Sequence, residues 1–161
     1  MDAGIATVLA TVWDGARAAD LEDVTLDFKT VCRSIGDALK DLAEAAMCFA
    51  NAQGGTIVVG IQDGVGGPKA FVGSPLDPTR TVSRVYELTE PGLIVIVDAV
   101  SYQGVQLSVI TVQTSWPSVA PEVSNRRRRC RVKKLPCSPR SATPCRFTAG
   151  LSSWQLTQRV R

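Results

Sequence analysis

Histidine is absent from this chain of 161 residues, and its absence excludes several kinds of catalytic site. Ser-His-Asp triads and general acid–base catalysis by imidazole both require it. Five cysteines are present, but the spacings of Cys130, Cys137 and Cys145 match no zinc motif. Cys48 falls in a helical pattern and is expected to be buried, which argues against a nucleophile there. Free thiols in a reducing cytoplasm are the simplest expectation, so we predict a cytoplasmic protein.

The chain also lacks a long apolar run and a basic N-terminus. The longest strongly apolar run, LIVIV at 93–97, is far too short to cross a membrane. The first 15 residues contain Asp2 and Asp14 but no basic residue, so they lack the start of a signal peptide. We therefore expect no membrane partner.

Acidic residues are missing from the last part of the chain. Residues 1–125 carry 15 acidic and seven basic side chains, a net charge of −8, whereas residues 126–161 carry 11 basic and no acidic ones, a net charge of +11. From about Trp116 the chain has no sustained hydrophobic period and is rich in Arg, Pro, Ser and Cys. It is either a disordered basic tail that contacts phosphate or coding sequence read in the wrong frame. The predicted division is a domain at 1–115 and a basic tail at 116–161.

Hydrophobic periodicity before that point predicts alternating helices and strands. Helical spacing covers 4–18, 33–51 and about 79–88. Alternation predicts a half-buried strand at 24–29, and an apolar run at 56–61 predicts a strand buried on both faces. Two further runs flank SYQG and predict an antiparallel hairpin. The order α-β-α-β-α-β-β predicts one α/β or α+β domain.

Three carboxylates lie at or beside the first two predicted strands. Asp27 interrupts the first strand on its polar face, and Asp63 follows the second. Glu22 has the opposite parity to Asp27, so the two converge only if Glu22 sits in the turn before the strand begins. Carboxylates from separate segments suit Mg²⁺ or Mn²⁺, which can activate water for phosphodiester cleavage. The alternative is that Glu22 and Asp63 are solvated loop residues and that Asp27 faces water opposite Lys29.

Two groups of glycines could bring backbone N–H groups close to phosphate, one after the second helix and one after the second strand. Neither has the offsets of a Walker motif or a dinucleotide fingerprint. The alternative is that these glycines serve turns and that the nearby lysines are simply solvated. The candidate nucleic-acid or phosphate contacts are Lys29, Asn51, Gly54, Gly55, Gly64 and Lys69.

Three phrases of the sequence form a joint pattern. They are E-x-x-x-x-D-F-K at 22–29, F-A-N-A-x-G-G at 49–55 and T-I-V-V-G-I-x-D-G at 56–64. This pattern resembles the Schlafen/AlbA-like domain family, and the resemblance covers about residues 20–113. It implies an α/β nucleic-acid-binding domain with a mixed sheet and a C-terminal hairpin. Bacterial members are commonly described as DNA-binding transcriptional regulators, and some carry an ATP-binding label.

The resemblance also implies roles for the three carboxylates. Several animal members cut tRNA and rRNA with three acidic residues and a divalent metal, and these residues correspond here to Glu22, Asp27 and Asp63. Asp27 stands where the family usually has Glu, so the side chain is one methylene shorter. The leading interpretation is a DNA-binding transcriptional regulator with DNA or RNA as partner and a homodimer as a further expectation. A Mg²⁺- or Mn²⁺-dependent endoribonuclease and an ATP-binding protein are the alternatives.

Overall fold

The computed structural model describes residues 3–31 and 34–114, together with the backbone of a two-residue strand at 131–132. Within these residues it contains three α-helices and six strands. The helices are α1 (Ala3–Trp13), α2 (Ile35–Asn51) and α3 (Pro78–Leu88). The strands are β1 (Leu26–Lys29), β2 (Gly55–Val59), β3 (Thr89–Glu90), β4 (Val95–Tyr102), β5 (Val105–Val112) and β6 (Arg131–Val132).

Four of these strands form a mixed sheet in the order β1-β2-β5-β4. Strands β1 and β2 are parallel, and the other two pairings are antiparallel. The predicted hairpin is β4–β5, and its turn residues Gln103 and Gly104 both have positive φ angles, 49° and 81°. Two-residue hairpin turns need this backbone because it matches the twist of the strands. The predicted α/β class with a mixed sheet and a hairpin is thereby confirmed.

The sheet buries apolar side chains on both faces, and β2 shows this most clearly. Ile57 belongs to the core cluster under α2 and α3, whereas Val58 belongs to the cluster under α1. Both side chains are fully buried. Alternate residues of a strand point to opposite faces, so a strand covered on both sides is apolar throughout. The prediction that this strand is buried on both faces is confirmed.

The helix boundaries follow from local capping groups. Ser34 precedes α2, and its Oγ accepts a hydrogen bond from the N–H of Asp37 (3.1 Å). Asp77 precedes α3, and its Oδ1 accepts from the N–H of Arg80 (2.8 Å). After α2, Gly54 has a φ of +81° and its N–H donates to the carbonyl oxygen of Phe49 (2.9 Å). A left-handed glycine that closes a helix in this way is the predicted ending.

Three local expectations are wrong. Helix α1 ends at Trp13 rather than near 18, because Gly15 has a φ of +118° and the chain then forms a 3-10 turn at Ala18–Asp20. The strand predicted at 24–29 begins only at Leu26, so that Val24 precedes β1 and is 71% exposed. Cys48 is exposed, since it points away from the core that the rest of α2 covers.

The predicted tail at 116–161 lies outside the described residues except for Arg131 and Val132. Strand β6 pairs antiparallel with β3, with Thr89 opposite Val132 and Glu90 opposite Arg131. Across the described ranges, every helix is too short or too polar to span a membrane.

Candidate functional site

Strand β1 lies at the edge of the sheet, so one side of its backbone is free to bind other groups. Glu22 uses this edge, because its Oε1 accepts a hydrogen bond from the N–H of Phe28 (3.3 Å). The N–H of Asp23 donates to the carbonyl oxygen of Leu26 (3.0 Å), which folds the preceding segment back along the strand. Glu22 therefore sits in the turn before the strand, the one position from which it could approach Asp27.

Asp27 and Lys29 form an ion pair on β1. Lys29 Nζ lies 2.9 Å from Asp27 Oδ1 and 2.7 Å from Asp27 Oδ2, so it contacts both carboxylate oxygens. The Lys29 and Asp27 side chains are only 31% and 19% exposed. The two residues share a face because alternate residues of a strand point the same way. This i, i+2 spacing is the sequence signal for the contact.

Asp63 reaches the same region because the chain after β2 continues beside the end of β1. The N–H of Gly60 donates to the carbonyl oxygen of Lys29 (2.8 Å), and Thr30 Oγ1 donates to that of Ile61 (2.7 Å). Next along the chain, the carbonyl oxygen of Asp63 accepts from the N–H of Ala19 (3.2 Å). Backbone contacts on two sides thus hold Asp63 at the carboxyl end of the parallel strands.

The carboxylates and Lys29 influence one another electrostatically. Glu22 and Asp63 are both exposed residues. Partial loss of hydration nevertheless raises the pKa of Glu22, and the negative charges of Asp27 and Asp63 raise it further, whereas the hydrogen bond from Phe28 and the charge of Lys29 lower it. Partial loss of hydration also raises the pKa of Asp63, which Lys29 lowers and Asp27 raises. The structure therefore brings Glu22, Asp27, Asp63 and Lys29 into one cluster, which we call the acidic cluster.

Oxygen ligands of this kind suit Mg²⁺ or Mn²⁺, but their placement does not fit such an ion as it stands. Within residues 3–31 and 34–114, no group of three or more Asp, Glu or Cys side chains is placed to hold a metal ion. Both oxygens of Asp27 already contact Lys29. The catalytic and metal-binding roles of the three carboxylates stay predictions.

The predicted Gly54-Gly55 contact lies at the other end of β2, away from Asp63. A Cβ added to Gly54 would lie 2.7 Å from the carbonyl oxygen of Val112, and one added to Gly55 would lie 2.7 Å from that of Thr25. Close backbone packing therefore explains both glycines. Asn51 is the last residue of α2 and belongs to this end of the sheet.

Gly64 and Lys69 lie on the loop that follows β2, on the side of Asp63. A Cβ added to Gly64 would have no heavy atom within 4 Å, so its backbone is accessible. Lys69 is exposed in a 3-10 turn at Pro68–Ala70. The N–H of Gly67 donates to the carbonyl oxygen of Val12 (2.8 Å), which fastens the loop to the end of α1. Of the predicted phosphate contacts, Lys29 thus belongs to the acidic cluster, and Gly64 directly follows its member Asp63 in the chain.

Sequence reasoning missed an open groove, and none of the four residues of the acidic cluster lines it. Residues Thr30 and Val31, the loop at 71–75 and the hairpin residues at 104–106 line it. The sequence indicated only a Gly- and Pro-rich loop at 63–78, because the groove forms between segments that are distant in the chain.

The protein is an α/β domain with a four-stranded mixed sheet, and the edge strand β1 of that sheet carries part of the acidic cluster. The chain matches the family model "Schlafen, AlbA_2" over residues 22–135, which is more than half of its length. It belongs to that family. The match extends beyond 113, where the resemblance ends, and includes strand β6.

Two solved structures are similar to the chain, and the first of them shares its fold. The chain is similar to the DIP2311 protein of Corynebacterium diphtheriae, with a TM-score of 0.53, 22% identity and 69% of this chain covered, but it spans only 26% of that protein. It is also similar to the N-terminal domain of a RecG-related protein of Nitrosomonas europaea, with a TM-score of 0.44, 16% identity, and coverage of 80% of this chain and 99% of that domain. No curated protein sequence matches the chain.

Proposed function

We propose that this protein is a nucleic-acid-binding domain that regulates transcription by binding DNA. Two observations support the proposal. The first is its membership of the Schlafen, AlbA_2 family, whose bacterial members are commonly described as DNA-binding regulators. The second is a concentrated run of basic residues inside the matched range, since seven of the nine residues at 126–134 are Arg or Lys.

The basic run carries the proposal, because the pairing of β6 with β3 attaches it to the folded domain. Arg131 lies in β6, directly opposite Glu90 of β3. The run Arg126–Arg129 ends two residues before this strand and is therefore covalently tethered to it. A basic segment tied to a folded domain can neutralise several phosphates of a duplex at once.

The charge distribution favours the basic run over the acidic cluster as the phosphate contact. Residues 1–125 carry a net charge of −8, which repels a polyanion, whereas residues 126–161 carry +11. Phosphate contacts by Lys and Arg release counterions and make binding depend strongly on salt. We therefore expect duplex binding to be salt-dependent and to need the arginines.

The test is duplex DNA binding by the whole chain and by a variant with Arg126–Arg129 replaced by Ser. We expect the wild type to lose affinity steeply between about 50 and 200 mM salt. The variant should bind at least about tenfold more weakly, and its salt slope should fall by about one per lost phosphate contact. Substitution is preferable to deletion of residues 116–161, because deletion would also remove β6.

Lys40→Ser and Arg84→Ser are matched controls. Both residues are basic and lie on exposed helix surfaces, paired with Asp37 and Glu87. They should leave DNA affinity within about twofold of the wild type, since single solvated charges contribute little. Equal losses in the controls and the arginine variant, or salt-independent binding, would contradict the proposal.

The same assay with RNA of equal length separates a DNA-binding role from an RNA-binding one. Tighter binding to a particular duplex sequence than to random duplex would support the regulatory role. Endoribonuclease activity and ATP binding stay predictions from the resemblance. Metal-dependent cleavage would require Asp27 to release Lys29 first.

A further inference from the structure

We propose that Lys29 supplies the resident positive charge of the acidic cluster and keeps divalent metal ions out of it. The inference does not depend on the proposed DNA-binding function. The family pattern implies a metal ion, whereas the arrangement of these side chains does not fit one.

The contact between Lys29 and Asp27 is the first argument. Lys29 Nζ lies 2.7 and 2.9 Å from the two oxygens of Asp27, so the ammonium occupies the space in front of the carboxylate where a metal ion would bind. The backbones of both residues are fixed by parallel pairing, with Asp27 opposite Ile57 and Lys29 opposite Val59. The ammonium is therefore an intramolecular ligand, present at a high effective concentration beside its partner.

Glu22 also has a contact that limits its availability to a metal ion. Glu22 Oε1 is held at the strand edge by the N–H of Phe28, which uses one oxygen of that side chain. Within the part of the chain that the structure describes, no three acidic or thiol groups are placed around a common ion.

Competition decides which cation occupies the cluster. A divalent ion that binds Asp27 must displace the ammonium and then remain close to it, because Lys29 lies only two residues away on the same strand face. Repulsion between the two cations opposes this binding, and partial burial makes the repulsion stronger than it would be in bulk water. The Asp27 side chain has a single methylene, so its carboxylate cannot move far from the Lys29 ammonium.

Mn²⁺ binding, followed by the electron paramagnetic resonance signal of the free ion, tests the proposal on the whole chain. We expect the wild type to bind Mn²⁺ no more tightly than about 1 mM, the weak end of carboxylate sites. Lys29→Met removes the charge but keeps the length and apolar stem of the side chain. It should bind Mn²⁺ at least about tenfold more tightly than the wild type.

Two further variants define the site. Adding Asp63→Asn to Lys29→Met should abolish the gain, because it removes one of the freed ligands. Lys40→Met removes a charge from an exposed pair with Asp37 and should leave Mn²⁺ affinity unchanged.

Micromolar Mn²⁺ binding by the wild type that is lost in Asp63→Asn would overturn the proposal. So would a correctly folded Lys29→Met variant with wild-type affinity. Circular dichroism reports whether that variant folds. If Lys29→Met does not fold, the Mn²⁺ affinities of the wild type and of Asp63→Asn still test the proposal, because it requires both proteins to bind Mn²⁺ equally weakly.

Discussion

At the scale of single residues, the electrostatic environment separates carboxylates that look alike in the sequence. Asp23 accepts hydrogen bonds from Thr25, through Oγ1 (2.7 Å) and the N–H (2.6 Å), and these lower its pKa. Asp63 has its pKa raised, chiefly by partial loss of hydration. The ionised form is therefore stabilised by folding at Asp23 and disfavoured by folding at Asp63.

Replacing each carboxylate by its amide should shift stability in opposite directions. The folded pKa of Asp63 lies above its unfolded value, so this group stabilises the fold at low pH and loses that contribution as pH rises through the folded pKa. Asp63→Asn should therefore raise the melting temperature at pH 7 relative to the wild type. The difference in melting temperature should shrink near pH 3, where Asp63 is mostly protonated in both the folded and the unfolded state.

Asp23→Asn is the matched change with the opposite expectation. The folded pKa of Asp23 lies below its unfolded value, so its contribution is present at neutral pH and is lost as pH falls through the folded pKa. The variant should melt below the wild type at pH 7 and close to it near pH 2. Thermal denaturation at the two pH values measures both variants, and shifts of the same sign at pH 7 would show that the charges do not act as described.

At the scale of elements, the ends of the helices depend on single side chains. Asp77 caps α3 by accepting from the N–H of Arg80 at 2.8 Å, and Pro78 follows at the first helical position. Helix α3 packs against β4 and α2, so its loss would expose part of the core. Its first turn therefore contributes to the stability of the whole sheet.

Asp77→Ala should lower the free energy of unfolding by about 1 kcal/mol, the usual cost of a lost N-cap. Asp77→Asn keeps an acceptor at the same place and should cost less than half as much. Urea denaturation measures both. Equal losses in the two variants would mean that the side-chain hydrogen bond is not what stabilises the helix start.

At the scale of the whole molecule, one sheet joins two apolar layers. Phe28 is fully buried in the layer under α1, and β1 connects it to β2, whose Ile57 lies in the layer under α2. A strand shared by both layers should make them unfold together. Small single domains commonly behave in this cooperative way.

Phe28→Ala should reduce the free energy of unfolding by about 3 to 5 kcal/mol, a large part of what a domain of this size has. The transition should stay single, with the same midpoint by far-ultraviolet circular dichroism and by tryptophan fluorescence. Ile94→Ala, at a site 73% exposed, should change stability by less than about 0.5 kcal/mol. Separate transitions by the two probes would show that the layers unfold independently.

Local sequence patterns were sufficient to predict most of the helices and strands. The helical spacing at 33–51 and the apolar run at 56–61 predicted α2 and β2 to within two residues, because amphipathic period and capping act between near neighbours. The family pattern also depends only on residues close together in the chain. Cys48 was placed wrongly because its burial depends on which side of α2 the sheet covers.

The sequence by itself determined the order of the elements, their polar and apolar faces and the family to which the chain belongs, since short-range periodicity encodes all three. Only the tertiary structure decided that Glu22 folds back onto the edge of β1, that Asp63 returns beside it and that β6 pairs with β3. These contacts join segments that are distant in the chain, and the pairing of the sheet sets them. Sequence and tertiary structure both contribute to the pairing of Lys29 with Asp27. The i, i+2 spacing allows the ion pair, and the fold places Lys29 among the carboxylates of the acidic cluster.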